Sequence, residues 1–199
     1  MNELNILIAS VGGQGGLTLS RILAEAAVGA GYSVRTGETL GMAQRGGSVQ
    51  SFVRIGKEVR SPLFPQDSAD IMLALEAAEA VRSFRYPKKG ALVLVDPEIK
   101  ETITTITKKE KFPPVDDMLK ALGSRGGRVH VVEARKEASK LGQPRSANVY
   151  MLGVLCGLSS LLPTESVEIA IRNVLGKRGE AAVEVFRAGL KAAASAGPA

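Results

Sequence analysis

The stretch from Ile6 to Ser20 constrains the fold more than any other part of the chain. Residues 4–11 are mostly apolar, which is typical of a strand covered on both faces. Four glycines and one glutamine occupy positions 12–16, and glycine allows backbone angles and close approaches that a side chain would block. Apolar residues then recur at helical spacing up to Ala27. The stretch therefore predicts a strand, a glycine loop and a helix in direct succession.

A glycine loop in this position often binds an anion. The first amides of the following helix are free, and they lie beyond the carboxyl end of a buried strand. The dinucleotide pattern G-x-G-x-x-G is broken, however, because Thr18 stands where a pattern starting at Gly13 needs its last glycine. No clean acidic residue follows about 20 positions later either, since Arg35 ends the next strand and Glu38 lies beyond it. The loop predicts either an anion site or a tight turn that binds nothing.

Composition sets the broad class. The chain has 199 residues, of which 45% are hydrophobic and 23% charged, so it can bury a real core and suits one domain over residues 1–199. No apolar run approaches the roughly 20 residues that span a bilayer. The first residues are typical of a strand rather than of a signal peptide. We expect a cytoplasmic protein that does not enter a membrane.

Scarce residue types exclude several kinds of chemistry. Cys156 is the only cysteine, whereas iron–sulfur clusters normally take four thiolates. His130 is the only histidine and lies in a predicted strand, so neither a metal ligand nor a catalytic residue is assigned to this chain. The net charge of +6 is spread along the sequence without interleaved aromatic residues. This pattern favours a solvated surface or an acidic protein partner over nucleic acid.

Alternating strand and helix patterns predict the fold class. Further strands are predicted at 32–35, 48–55, 70–75, 91–95 and 128–132. A turn at 56–57 predicts a small edge β-hairpin between 48–55 and 58–60. Residues 145–199 form a helical C-terminal part, in which Asn148 is predicted to cap the first helix. We therefore expect an α/β fold: a Rossmann-like open, mostly parallel sheet with flanking helices.

A second candidate segment runs from Glu38 to Ser48. Four glycines lie between positions 37 and 47, a density typical of loops that face a ligand or a partner backbone; a flexible surface loop is the alternative. Arg45 can hold a carboxylate or phosphate through two parallel hydrogen bonds. The strands before this segment and before the glycine loop both end at the same edge of the sheet, so the two loops should converge.

The binding residues expected from these patterns form one set around the two loops. Glu76 belongs to it because it directly follows a buried strand, although both Glu76 and Glu79 are equally well explained as carboxylates at a helix start. The full set is Gly12, Gly13, Gln14, Gly15, Gly16, Glu38, Gln44, Arg45, Gly46, Gly47, Ser48 and Glu76.

Several of these motifs are similar to the gamma domain of 2-oxoacid:ferredoxin oxidoreductases. They are Val11-Gly-Gly-Gln-Gly-Gly16, Gly41-Met-Ala-Gln-Arg-Gly-Gly-Ser-Val49 and Leu75-Glu-Ala-Ala-Glu-Ala-Val-Arg82. The resemblance is dense over residues 6–82 and thinner up to the segment 148–153. One departure is Leu40, which stands where such subunits often have histidine. This difference favours a different 2-oxoacid or a changed interface.

The resemblance implies a function that depends on a partner. Such enzymes use thiamine diphosphate to decarboxylate aryl 2-oxoacids, pass electrons through iron–sulfur clusters to ferredoxin, and transfer the acyl group to coenzyme A. The resemblance places the thiamine diphosphate and the clusters on a larger alpha subunit. It implies that this chain completes the active site, where its two loops orient the substrate carboxylate or a coenzyme A phosphate. A homodimer is an option for the isolated chain.

Two other functions remain open from the sequence. The first is a free-standing flavin- or NADP-binding reductase with a variant glycine loop, in which Arg35 would hold a 2′-phosphate. The second is a scaffold subunit that stabilises its partner without contributing to turnover.

Overall fold

The computed structural model of the chain describes residues 3–40, 46–99, 112–124 and 126–195. The strands are β1 (Leu4–Val11), β2 (Ser33–Leu40), β3 (Ser48–Gly56), β4 (Ala69–Ala74), β5 (Pro87–Val95) and β6 (Arg128–Val131). The helices are α1 (Gly16–Gly29), α2 (Ala77–Arg82), α3 (Val115–Gly123), α4 (Ala134–Lys140), α5 (Ala147–Ser159), α6 (Thr164–Leu175) and α7 (Gly179–Ser195). Two short 3₁₀ turns, Pro144–Ser146 and Gly176–Arg178, precede α5 and α7.

The strands form a mixed sheet in the order β2-β3-β1-β4-β5-β6. Strand β3 pairs antiparallel with both β1 and β2, while β1, β4, β5 and β6 pair parallel with one another. Among the described strands, β3 alone therefore runs against the other five. The predicted open, mostly parallel α/β sheet with flanking helices and a helical C-terminal part is confirmed.

Each face of the sheet has its own core. In β1, Ile6 and Ile8 point to a face covered by α1, α5, α6 and α7, whereas Leu7 and Ala9 point to a face covered by α2 and α3. All four side chains are fully buried, as a strand covered on both faces requires. This double cover holds the end of β1, and hence the glycine loop, in a fixed place.

The edge hairpin differs from the prediction. Residues 58–60 form no strand. The hairpin joins β2 to β3 instead, in continuous register from Ser33↔Gly56 to Leu40↔Val49. Strand β2 thus extends five residues beyond the predicted end at Arg35, because an edge strand with one wet side tolerates the polar residues that suggested a loop.

The C-terminal helices α5 and α7 cross at close range. An added Cβ at Gly153 would lie 2.1 Å from the carbonyl oxygen of Phe186, and one at Gly189 would lie 2.3 Å from that of Tyr150. Cys156 is buried in the same layer, and burial raises the pKa of its thiol to about 12. His130 is half-buried in β6, as predicted. Within the described ranges, no helix has the length and apolar character needed to cross a bilayer.

We expect the helix crossing to depend on its glycines. Gly153→Ala should lower the free energy of unfolding by about 1–3 kcal/mol, because backbone atoms must move to admit the methyl group. Gly29→Ala is the matched control, because Gly29 also lies in a helix (α1) and nothing lies within 4 Å of a Cβ added at this position. Urea denaturation measures both variants. Equal stability of the two would show that the crossing tolerates a side chain.

Candidate functional site

The two predicted loops meet at one edge of the sheet. The Gly12 amide donates to the carbonyl oxygen of Gly47 at 2.8 Å, and the Gly46 amide donates to that of Gly12 at 3.3 Å. This contact is possible because β1 ends where the antiparallel strand β3 begins, with Val11 opposite Ser48. We call residues 12–16 and 46–48 the rim. The expected convergence is thus confirmed for the described ends of both loops.

Besides Glu76, three of the predicted site residues are not placed in the rim. Gln44 and Arg45 lie outside the described residues. Glu38 was expected in the second loop but lies in β2, where its half-buried carboxylate accepts a hydrogen bond from the Ser20 hydroxyl at 3.2 Å. The longer β2 explains this difference, because it places Glu38 against α1 instead of in a loop.

Gln14 connects the glycine loop to the end of β4. Its side-chain oxygen accepts from the Val11 amide at 2.8 Å, which closes the loop on itself. Its side-chain nitrogen donates to a Glu76 carboxylate oxygen, also at 2.8 Å. Glu76 is 1% exposed. Glu76 thus contacts the glycine loop and also directly precedes a helix, so both alternatives left open by the sequence fit its position, and its role toward a ligand stays a prediction.

Glycine is required at two positions of the loop for space. Gly15 has a φ of +88°, and an added Cβ there would lie 2.6 Å from the side-chain nitrogen of Asn148. At Gly16, an added Cβ would lie 2.3 Å from the Ser10 hydroxyl oxygen. The composition of the loop thus follows from close side-chain approaches as much as from backbone angle.

Asn148 has a different role from the one predicted. It lies at the second position of α5 rather than at its cap, because the 3₁₀ turn Pro144–Ser146 leads directly into the helix. Its side-chain nitrogen donates to the carbonyl oxygen of Gly15 at 3.0 Å, and the residue is 4% exposed. Asn148 therefore clamps the glycine loop onto the C-terminal helices.

Ser48, the first residue of β3, is held by a buried carboxylate. Its hydroxyl donates to Glu79 at 2.5 Å, and Glu79 is 0% exposed. The sequence placed Glu79 near the cleft or at a helix start without including it in the binding set. Its three-residue spacing from Glu76 in the same resemblance motif was the available signal.

A cavity of about 600 Å³ lies beside the glycine loop. Gly13, Gln14 and Gly15 form one wall, and residues 142–149 form another. Three arginines line it, and none of the described residues that line it is acidic. The arginines are Arg135 of α4 and Arg145 and Arg178 of the two 3₁₀ turns. This distribution of charge suits an anionic ligand with several phosphate oxygens.

Arg135 is positioned through the end of β5. Its amide donates to the Asp96 carboxylate at 2.9 Å, and its guanidinium pairs with Glu98 at 2.6 Å. Asp96 is 2% exposed, and burial raises the pKa of its carboxyl group despite two backbone hydrogen bonds that act in the opposite direction. Sequence reasoning missed the arginine cavity because its two walls, residues 13–15 and 142–149, are far apart in the chain.

The fold and the rim agree with the comparisons to known proteins. A protein-family model described as "Pyruvate ferredoxin/flavodoxin oxidoreductase" matches residues 5–192, and the chain belongs to this family. The resemblance found in the glycine loop and in residues 41–49 is thereby confirmed. The chain is a subunit of a 2-oxoacid:ferredoxin oxidoreductase.

One relative by sequence and one by structure show how far this similarity extends. The chain is 44% identical over 176 residues to the indolepyruvate oxidoreductase subunit IorB of Archaeoglobus fulgidus, covering 87% of this chain and 86% of the relative. A keto/oxoacid ferredoxin oxidoreductase gamma subunit from Geobacter sulfurreducens has a TM-score of 0.71 at 21% identity, with 96% and 99% coverage.

A second solved structure embeds the same fold in a longer chain. It is the 2-oxoglutarate:ferredoxin oxidoreductase of Magnetococcus marinus with 2-oxoglutarate, coenzyme A and succinyl-CoA bound. The TM-score is 0.78 at 21% identity, and the match covers 100% of this chain but 32% of that one.

We expect Asn148→Ala to loosen the glycine loop. The substitution removes one of the two hydrogen bonds that the half-buried Gly15 carbonyl accepts, since the Leu19 amide remains its other donor. The free energy of unfolding should therefore fall by about 1 kcal/mol. Asn173→Ala is the matched control: it removes an amide-to-carboxylate hydrogen bond to Glu25, but at an exposed site. We expect that control to cost about 0.5 kcal/mol or less. Urea denaturation tests the difference, and equal losses would contradict the clamp.

Proposed function

We propose that this chain is the small subunit of an indolepyruvate-type oxidoreductase that works in the cytoplasm. A larger subunit holds thiamine diphosphate and the iron–sulfur clusters, and the rim of the present chain completes the active site at which aryl 2-oxoacids are oxidatively decarboxylated. The acyl group passes to coenzyme A and the electrons pass to ferredoxin. The observation that carries the proposal is the meeting of two glycine-rich segments at one sheet edge, in a chain 44% identical to an indolepyruvate oxidoreductase subunit.

The division of labour follows from the residues of this chain. A four-thiolate cluster does not fit it, because Cys156 is its only cysteine and is buried with a pKa raised to about 12. Across the described residues, no group of three or more His, Cys, Asp or Glu side chains could hold a metal ion. The single buried cysteine supports a larger subunit as the holder of the clusters, with the present chain contributing binding and orientation.

The arginine cavity gives this chain a specific task. Coenzyme A carries three phosphate groups, and arginine binds phosphate oxygens through paired, charge-assisted hydrogen bonds. Arg145 and Arg178 line the cavity and are exposed, whereas Asn148, which also lines it, is buried. A solved relative of the same fold has coenzyme A bound, which makes it the first ligand to test. The cavity then binds the phosphates, and the rim directs the thiol toward the partner's cofactor.

Arginine substitutions test the cavity. In the complex reconstituted with the larger subunit, Arg145→Ala and Arg178→Ala should each raise the KM for coenzyme A roughly tenfold, the cost of one charge-assisted hydrogen bond. The KM for the 2-oxoacid should stay unchanged. Lys177→Ala is the matched control, because this lysine neighbours Arg178 without lining the cavity. An equal rise of the KM in the control would show that the arginines act only through general surface charge and not by binding coenzyme A in the cavity.

Separate purification tests the wider proposal. Ferredoxin reduction that depends on a 2-oxoacid should require both subunits, and indolepyruvate should give a higher kcat/KM than pyruvate. Arg45→Ala should leave assembly intact and reduce turnover by at least tenfold, because Arg45 is expected to hold a carboxylate or phosphate at the active site. Unchanged turnover in this variant would favour a scaffold subunit. Full activity of the present chain alone would overturn the proposal.

A further inference from the structure

Two buried carboxylates contact the rim, one on α2 and one directly before it. Glu79 is 0% exposed and Glu76, the residue before the helix, is 1% exposed. Burying a carboxylate is costly unless it is hydrogen-bonded and paired. The partners of these two groups should therefore explain why both are buried.

Glu79 joins the rim to a surface arginine. One carboxylate oxygen accepts from the Ser48 hydroxyl at 2.5 Å, and the other pairs with Arg82, one helical turn along α2. The Arg82 side chain is half-exposed, so part of this ion pair faces solvent. The other member of the pair, Glu79, is buried and contacts Ser48, the first residue of β3.

A second polar link joins the same two elements. The side-chain nitrogen of Gln50 donates to the Ser83 hydroxyl at 2.9 Å, and the Ser83 amide donates to the Glu79 carbonyl oxygen at 3.0 Å. Ser48 and Gln50 are two residues apart and thus on the same face of β3. The start of β3 is therefore fastened to α2 at two successive positions.

The residue directly before α2 contacts the other half of the rim. Gln14 of the glycine loop donates to Glu76 at 2.8 Å. The two halves contact each other only through the backbone bonds between Gly12 and residues 46–47 among the described interactions. Side-chain contacts from α2 thus set the position of each half relative to the other.

We propose that Glu79 is a positioning residue for the rim. It holds Ser48, and through Ser48 it fixes Gly46 and Gly47 at hydrogen-bonding distance from Gly12. This inference rests on the proposed function, since the rim needs a fixed shape to orient a substrate beside the partner's cofactor. The structure of the rim itself is tested without any ligand.

Amide hydrogen exchange of the free chain gives the first test. Glu79→Ala and Ser48→Ala should each speed exchange of the Gly12 and Gly46 amides by about 10- to 100-fold, because a charge-assisted hydrogen bond is lost. The Leu73 amide in the core strand β4 should keep its rate, which separates local loosening from unfolding. The double variant should add little, since both substitutions break the same contact.

Two further variants make the test specific. Glu79→Gln should have a smaller effect, because its amide oxygen still accepts from Ser48. Glu184→Ala is the matched control, because Glu184 forms the same three-residue pair with Arg187 at an exposed site. It should leave both glycine amides unchanged. Unaltered exchange at Gly12 and Gly46 in both Glu79→Ala and Ser48→Ala would overturn the inference.

Turnover of the reconstituted complex separates the two proposals. With the rim loosened, kcat/KM for the 2-oxoacid should fall about tenfold in Glu79→Ala and less in Glu79→Gln, while assembly is retained. Faster exchange combined with normal turnover would support the positioning role and overturn the proposed part of the rim in the active site. Slower turnover with unaltered exchange would overturn the positioning role.

Discussion

The candidate site depends on the backbone contact between Gly12 and the two glycines that precede β3. This contact exists because one strand of the sheet is reversed: β3 begins beside the end of β1, so a segment entering the sheet meets a segment leaving it. Three side-chain contacts then hold this junction, through Gln14, Ser48 and Asn148. The rim is thus a backbone structure that side chains at α2 and α5 hold in place.

The charges around this junction are separated. The carboxylates of Glu76 and Glu79 are buried beneath it and engaged by neutral or cationic partners, whereas the arginines lie at the cavity beside it. The charge of Glu79 is offset by its ion pair with Arg82, and neither carboxylate lines the cavity. An anion therefore meets amides and guanidinium groups when it approaches from the cavity side. The direction of approach is a property of the packing rather than of net charge.

Local patterns predicted the parts of the fold that depend on neighbours in the sequence. The buried strand β1 and its glycine loop followed from an apolar run and from glycine spacing. The extension of β2 was missed because its polar residues satisfy an edge strand as well as a loop. Asn148 was assigned to a helix cap because that is its usual local role, whereas its actual partner is 133 residues away. The arginine cavity has no local signal at all, since only the folded chain unites its walls.

The clamp on Gly15 has a consequence for how the protein is made. As the chain is synthesised, Gly15 leaves the ribosome 133 residues before Asn148, whose helix α5 packs closely against α7. The glycine loop can therefore take its clamped form only after α5 has been made.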